Sequence, residues 1–271
     1  MGLSGKTVGV AIPDTVLEER DNLRDKTVKL GTLARAFAIY GVDFVEVFRE
    51  DARRGESRLI TNVLEYLETP QYLRRRLYAL DESLKFAGLL PPLRIPSHRP
   101  RVPMAEVSLG EVREGVTNPD GTVEIGLEKP ARYGPKKAAN RRVTTKVIAK
   151  DPLTVELIER EEVVGYWGYA VRTRGLEEVF SDDRYALKVA TSRFGNSLQS
   201  QLEPLKEAIS KSRSVLLIFG SPSRGLFDIC GPELTKLADY VVNLFPDQHV
   251  ETVRTEEAVF AALNLVNILA I

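Results

Sequence analysis

Three short polar stretches hold the residues best suited to chemistry. They are TSRFGNS at 191–197, GSPSRGL at 220–226 and NLFPDQHVETVRT at 243–255, and each follows an apolar run with the character of a strand. In open parallel sheets, ligands sit outside the carboxyl ends of the strands, so three such loops define a candidate ligand edge. Gly220 and Gly225 let backbone amides come close to a bound group. Asn243, Gln248, Thr252 and Thr255 add directional hydrogen-bonding groups suited to base and ribose edges. Taken singly, GSPSRG reads as a tight turn and the start of TEEA as a helix cap; on successive strand ends they read as one site.

Several chemistries are excluded. The chain has no GxxxxGK[ST] phosphate loop, and the glycines at 2, 5 and 9 do not form GxGxxG, which disfavours a dinucleotide-dependent oxidoreductase. His98 and His249 are the only histidines and Cys230 the only cysteine, so no metal site, no intrachain disulfide and no convincing Ser/His/Asp set is expected. Cys230 reads as a small buried hydrophobe. Lysine and arginine total 38 against 38 acidic residues, so any polyanion-binding surface has to come from local clustering. No signal peptide or long apolar run is apparent, which gives the expectation of a cytoplasmic protein with no membrane partner.

The elements that must position these loops alternate. Strands are expected at 8–12, 42–48, 164–171, 186–190, 214–219 and 240–245. Helices are expected at 27–40, 56–68, 71–80, 197–211 (capped by Ser197) and 255–269, with Pro70 opening the third. This is the order of an α/β fold with a parallel sheet. It is interrupted after LLPPLRIPSHRPRVP (89–103), where Pro91, Pro92, Pro96, Pro100 and Pro103 mark a stiff linker. Beyond that lie short alternating runs expected to form a small antiparallel β-barrel. The domain reading is therefore 1–90 with 164–271 for the α/β domain, and 91–163 for an inserted barrel.

The insert carries a run of cations without an acid: Lys129, Arg132, Lys136, Lys137, Arg141, Arg142, Lys146 and Lys150. With Tyr133 available to stack, the first six form a candidate RNA-binding surface. Arg94, His98, Arg99 and Arg101 in the linker extend it, and Arg74, Arg75, Arg76 and Lys85 read equally well as a solvated helix face. Tyr166 and Trp167 read as core or interface aromatics.

The stretches FGSPSRGL and YVVNLFP followed by ETVRTEEAVFAALNLVNIL resemble the C-terminal signature of the SPOUT superfamily of RNA methyltransferases. The resemblance is to the archaeal and eukaryotic branch with an inserted, OB-like barrel. It implies a C-terminal trefoil knot, S-adenosyl-L-methionine as cofactor and a homodimer. LKVATSRFGNSL then corresponds to the first cofactor loop, adding Thr191 to Gly220, Ser221 and Gly225. Asn243, Leu244 and Pro246 would lie over the adenine, and Gln248 to Arg254 would close the knotted loop. Relatives usually carry Pro-Gly-Gln-Gly where this chain has Pro246-Asp247-Gln248-His249, which puts the loop's backbone geometry in question. The expected reaction is methylation of a base nitrogen of the uridine type in ribosomal RNA. Arg193 or Arg254 would stabilise the deprotonated base, Arg24 is a weaker candidate, and Glu251 is a possible proton acceptor. The alternative is a non-catalytic, dimeric RNA-binding or ribosome-associated factor that keeps the knot as a scaffold.

Overall fold

The computed structural model describes residues 5–50, 55–134 and 138–270. Along the chain it runs β1 (Thr7–Pro13), α1 (Leu23–Ile39), β2 (Phe44–Arg49), α2 (Ser57–Glu68) and α3 (Gln71–Leu77), then β3 (Val112–Thr117), β4 (Thr122–Glu124), β5 (Ala131–Arg132), β6 (Arg142–Lys150) and β7 (Leu153–Ile158). It continues with β8 (Ala170–Gly175), α4 (Leu176–Phe180), β9 (Leu187–Ser197), α5 (Leu198–Lys211), β10 (Ser214–Ile218), α6 (Leu226–Cys230), α7 (Leu234–Leu237), β11 (Tyr240–Asn243) and α8 (Thr255–Leu269). Two compact units result. One takes Met1–Glu65, Ser83–Pro91 and Tyr169–Ile271; the other takes Tyr66–Glu82 and Pro92–Gly168. No helix among the described residues is long and apolar enough to cross a membrane.

The first unit is a six-stranded sheet in the order β11-β9-β10-β1-β2-β8, with every pairing parallel. Such strands are buried on both faces, which is why VGVAIP and SVLLI read as unbroken apolar runs. Alternation of side chains then divides the core. Ala11, Phe48, Leu216 and Ile218 pack with α4, α6 and α7 residues such as Val179, Leu226 and Leu234. Val189, Leu217 and Val242 instead meet Leu205 and Ile209 of α5 and Ala262 and Val266 of α8. Cys230 packs at the edge of the first of these clusters, and burial pushes its thiol up.

Several boundaries differ from the sequence expectation for identifiable reasons. Helix α1 starts at Leu23 because Asn22 caps it, its side chain accepting the Asp25 N–H at 2.9 Å. The strand expected at 164–171 is β8 at Ala170–Gly175. Gly165 and Gly168 have φ of 93° and 111°, a left-handed backbone that ends extended structure before Ala170. Strand β9 runs to Ser197, so α5 begins only at Leu198 and Ser197 makes no side-chain cap. Pro70 is the residue before α3, which ends at Leu77.

The second unit contains a closed five-stranded barrel in the order β3-β4-β5-β7-β6. Four pairings are antiparallel, but the barrel closes through one parallel pair, Arg132 beside Thr154, so it is a mixed sheet rather than a purely antiparallel one. Tyr133, expected to be available for stacking, is only 7% exposed and packs in the barrel core with Val123, Val147 and Val155.

The same unit buries an ion network. Arg142 donates from Nη1 to Glu68 Oε2 at 2.5 Å and from Nε to Glu114 Oε2 at 2.6 Å. Arg160 donates to Glu68 Oε1 at 2.9 Å, while Trp167 Nε1 and Thr144 Oγ1 donate to Glu114 Oε1 at 2.6 and 2.9 Å. Burial acts to raise the Glu114 carboxyl, but Arg142 and the hydrogen bonds from Trp167, Arg142 and Thr144 outweigh it and hold the group below its ordinary range. Trp167 is thereby a structural residue of this unit.

Candidate functional site

Strands β9, β10 and β11 are neighbours through β9, and the loops that follow them meet at their carboxyl ends around a cavity of about 360 Å³. Its wall includes Thr191, Gly220, Ser221, Gly225, Asn243, Leu244, Gln248, Thr252 and Thr255, together with Arg193. Pro246 and Arg254 are not among the lining residues, although Phe245, Val253 and Thr255 beside them are. Arg24 is exposed in the first turn of α1 and does not line the cavity.

Each loop is built locally. The β9–β11 register jumps from Ala190 opposite Val241 to Asn196 opposite Val242, so residues 191–195 leave the ladder as an excursion. Gly195 closes it: a Cβ there would lie 2.7 Å from the Val241 carbonyl oxygen. At its start, Thr191 Oγ1 donates to the Ile218 carbonyl at 3.2 Å. In the second loop, Ser221 N–H donates to the Arg224 carbonyl at 2.9 Å and Arg224 N–H donates back to Ser221 Oγ at 3.2 Å, drawing the two residues together into a tight turn. Gly220 is forced by that turn, since a Cβ would meet Arg224 O at 2.8 Å and Gly225 Cα at 3.0 Å. Gly225 is not under the same constraint, and its N–H is taken by Asp228 Oδ2 at 2.9 Å. The turn is held from outside by the segments after β1 and β2. Glu18 accepts from Ser223 N and Oγ at 2.9 and 2.5 Å, and the buried Glu50 pairs with Arg224 at 3.1 Å.

The third loop makes its turn at Pro246-Asp247, with Gln248 N–H donating to the Phe245 carbonyl at 3.2 Å. Proline is favoured at the second position of such a turn. Arg94 and Asn140 are the positive-φ non-glycine residues among those described, so Asp247 and His249 meet no demand for glycine. Gln248 Nε2 donates to the carbonyls of Val250 and Glu251 at 2.9 and 3.2 Å, which shapes the loop from within. Helix α8 then starts after Arg254, whose N–H donates to Glu257 at 2.9 Å. Its Glu256 faces Lys29 at 3.0 Å and Arg20 at 3.1 Å. Burial acts to raise Glu256, but its own backbone N–H, Lys29 and Arg20 prevail and keep the carboxyl below its ordinary range.

Asn243 ties the first and third loops together. Its Nδ2 donates to the Arg193 carbonyl at 2.9 Å while Oδ1 accepts the Phe245 N–H at 2.9 Å. Asn243→Ala removes both bonds, each worth about 1 kcal/mol. It is expected to weaken affinity for the cavity's ligand about tenfold with only a small change in Tm, read by calorimetry and a melting scan.

The cavity also takes in residues that sequence patterns did not single out, among them Phe194, Phe219, Ser223, Asp228 and Ala258. Phe219 and Ala258 belong to a buried strand end and a helix face, where pattern alone signals core. Chemically the wall combines apolar surface from Phe219, Leu244, Val253 and Ala258, hydroxyls and amides, one arginine, and the carboxylates Asp228 and Glu251. Volume and mixture suit a nucleoside-sized ligand with a cationic portion.

On the barrel unit, Lys129, Arg132 and Arg141 are exposed, whereas Arg142 is turned into the ion network, and Lys136 and Lys137 lie outside the described residues. Arg99 is exposed and Arg101 stands 3.6 Å from Glu124. His98 Nε2 donates to the Glu68 carbonyl at 2.7 Å, and burial lowers its pKa, so it is a neutral structural residue.

A parallel sheet with a polar cavity across the carboxyl ends of adjacent strands defines an α/β protein with a candidate ligand site at the place where such sheets hold ligands. Residues 7–266 match the family described as Putative RNA methyltransferase, and the chain belongs to that family. It is 31% identical to an uncharacterized protein of Haloarcula marismortui, over 95% of this chain and 97% of that one. It is 29% identical to the 28S rRNA (uridine-N(3))-methyltransferase of Homo sapiens, over 95% of this chain and 77% of that protein. The Drosophila melanogaster protein of the same name is 28% identical over 95% of this chain and 61% of its own length.

Proposed function

We propose that this chain transfers a methyl group from S-adenosyl-L-methionine to a uridine-type base nitrogen in ribosomal RNA. The observation that carries the reading is the single cavity at which all three SPOUT-like loops meet, in a chain similar along 95% of its length to proteins named for that reaction. The cavity suits the donor: apolar wall for adenine, Asn243, Thr252 and Thr255 within reach of a nucleoside, and Asp228 and Glu251 as counter-charges for a sulfonium and an amino group.

The bound donor supplies an electrophilic methyl group. The protein's own tasks are to hold the acceptor in line and to manage its proton. An acceptor N–H must be deprotonated, and the Arg193 guanidinium in the wall stabilises the resulting anion. Glu251, also in the wall, takes the proton. Arg254 is assigned to shaping the start of α8 instead.

The proposed organisation is a SPOUT domain from 1–90 and 164–271, with 91–163 as an inserted OB-like barrel that docks RNA through Lys129, Arg132 and Arg141, and with Tyr66–Glu82 of the first segment grouping with the barrel unit. A five-stranded closed barrel is an architecture that often binds oligonucleotides. A trefoil knot is supported by the path from β10 past β9 to β11 and by α8 packing against both α1 and α5. Cofactor binding and dimerisation are proposed with it. Asp247 and His249, the departures that would favour the non-catalytic alternative, sit in a loop whose backbone makes no demand for glycine.

Incubation with tritium-labelled S-adenosylmethionine and unmodified ribosomal RNA transcript is expected to label the RNA, with the label recovered as N3-methyluridine. Glu251→Gln is expected to lower kcat about 100-fold while leaving donor affinity within about threefold. Absence of label with wild-type protein, despite donor binding, would sink the reading.

A further inference from the structure

We infer that Phe194 is the stacking platform for an unpaired RNA base at the mouth of the cavity, and thereby a specificity-determining residue of the reaction. The inference rests on the methyltransferase reading of that cavity and adds the acceptor side to it.

Phe194 is 62% exposed, yet it lines the same cavity as Gly220, Asn243 and Thr252. A large apolar ring at a polar, strand-end cavity is informative in a way that a scattered surface residue is not. It is also well held. The excursion at 191–195 is closed by Gly195 against β11, tied by Asn243 through the Arg193 carbonyl, and folded on itself by the Phe194 N–H, which donates to Ser192 Oγ at 3.2 Å. The exposed ring is therefore carried on a braced loop rather than a loose one. The Arg193 guanidinium stands over the ring, 4.7 Å from its centroid. Among the described residues no aromatic pair includes Phe194, so no protein ring stacks on it. A ring with a guanidinium beside it offers a nucleobase a π surface and offers the flanking phosphate, or an ionised base, a positive charge. Stacking tolerates any base but demands an unpaired one, so the ring selects for single-stranded or flipped nucleotides.

The test uses the full chain and three variants. Phe194→Ala and Phe194→Leu are each expected to raise KM for ribosomal RNA transcript about tenfold and leave KM for S-adenosylmethionine unchanged. Leucine keeps apolar bulk but has no π face, and Phe194→Trp is expected to restore the RNA KM. The introduced tryptophan is also expected to be quenched by a single-stranded uridine oligonucleotide, with no such change in wild-type protein, whose Trp167 is buried. That titration does not need methyl transfer, so it judges the stacking role even if the wild-type chain labels no RNA, an outcome that would overturn the proposed function instead. The stacking role is overturned if leucine performs as phenylalanine, if the tryptophan is not quenched, or if Phe194→Ala splits an oligomer while the RNA KM stays as it was.

Discussion

Gly220→Ala is expected to weaken binding of the proposed donor, S-adenosylmethionine, about five- to 150-fold while the protein stays folded. The physical basis is that the added Cβ meets backbone only: Arg224 O at 2.8 Å, Gly225 Cα at 3.0 Å and Leu226 N at 3.0 Å. No flexible side chain can move aside, so the turn itself must open. Overpacking of this kind costs about 1–3 kcal/mol, and about 1.4 kcal/mol is tenfold in Kd. The turn cannot relax freely, because Glu18 and Glu50 hold it at Ser223 and Arg224. Strain is therefore passed to the cavity wall, which includes Gly220, Ser221 and Ser223. Gly225→Ala is the control for the fold. Its Cβ would meet only Asp228 Oδ2, at 3.5 Å, so Tm should be unchanged and any loss of affinity would measure crowding of the ligand itself. Calorimetric titration and a melting scan on both variants check the argument. Equal loss of Tm in the two would remove its basis.

Arg142→Met is expected to destabilise the barrel unit by about 3–5 kcal/mol, the cost of leaving buried charge without its partner. Glu68 and Glu114 have side chains only 3% exposed, and each loses a short bond to the guanidinium. Glu114 keeps Trp167 and Thr144, and Glu68 keeps Arg160, so the network is weakened rather than erased. The chain's one tryptophan lies inside this network, so its fluorescence during urea unfolding reports on this unit. The midpoint should fall, and Glu114→Gln added to Arg142→Met should recover part of the loss.

The pH dependence has a definite sign. Because the folded pKa of Glu114 is depressed, its contribution is present above the ordinary carboxylate range and is lost as pH falls through the folded value. Without Arg142, burial dominates and raises that pKa. The stability gap between Arg142→Met and wild type should therefore be widest near neutral pH and narrow as pH falls through the carboxylate range, where Glu114 is protonated in both.

Arg142 also illustrates what a sequence conceals. Within an acid-free run from Lys129 to Lys150, its neighbour Arg141 is exposed and Arg142 is turned inward, yet the two are identical in type and adjacent. Nothing local separates them. Their roles diverge because Arg142 opens β6 opposite Val116 of β3, within reach of Glu114 on the same strand, while Glu68 comes from 74 residues earlier in the chain. Tyr133 is a similar case: the barrel's closure, not its polar neighbours, decides that the ring faces the core.

The loops of the site were more legible. Gly220, Asn243, Gln248 and Thr252 stand out because strand-end position, turn chemistry and polar composition coincide there, and those are local properties of the chain. What was not local is the company they keep. Asn243 has both ends of its side chain occupied by loop backbone, a role that depends on β11 lying beside β9 rather than beside β10, its predecessor in the chain. Phe194 escaped notice because, in sequence, a phenylalanine between Arg193 and Gly195 looks like any half-buried strand residue.

The sequence by itself determined the alternation of strands and helices, the parallel character of the sheet, the interruption by a β-rich insert, and the three polar loops at strand ends. Periodicity and turn residues encode these directly, since each depends on neighbours a few positions away. Only the tertiary structure decided which strands lie side by side, which arginines face solvent, and that the three loops converge on one cavity. Those outcomes depend on distant pairings, such as Asn243 with Arg193, separated by 50 positions, and Glu18 with Ser223, separated by 205. No window of sequence contains both partners, and the free energy that selects them exists only once the chain has closed.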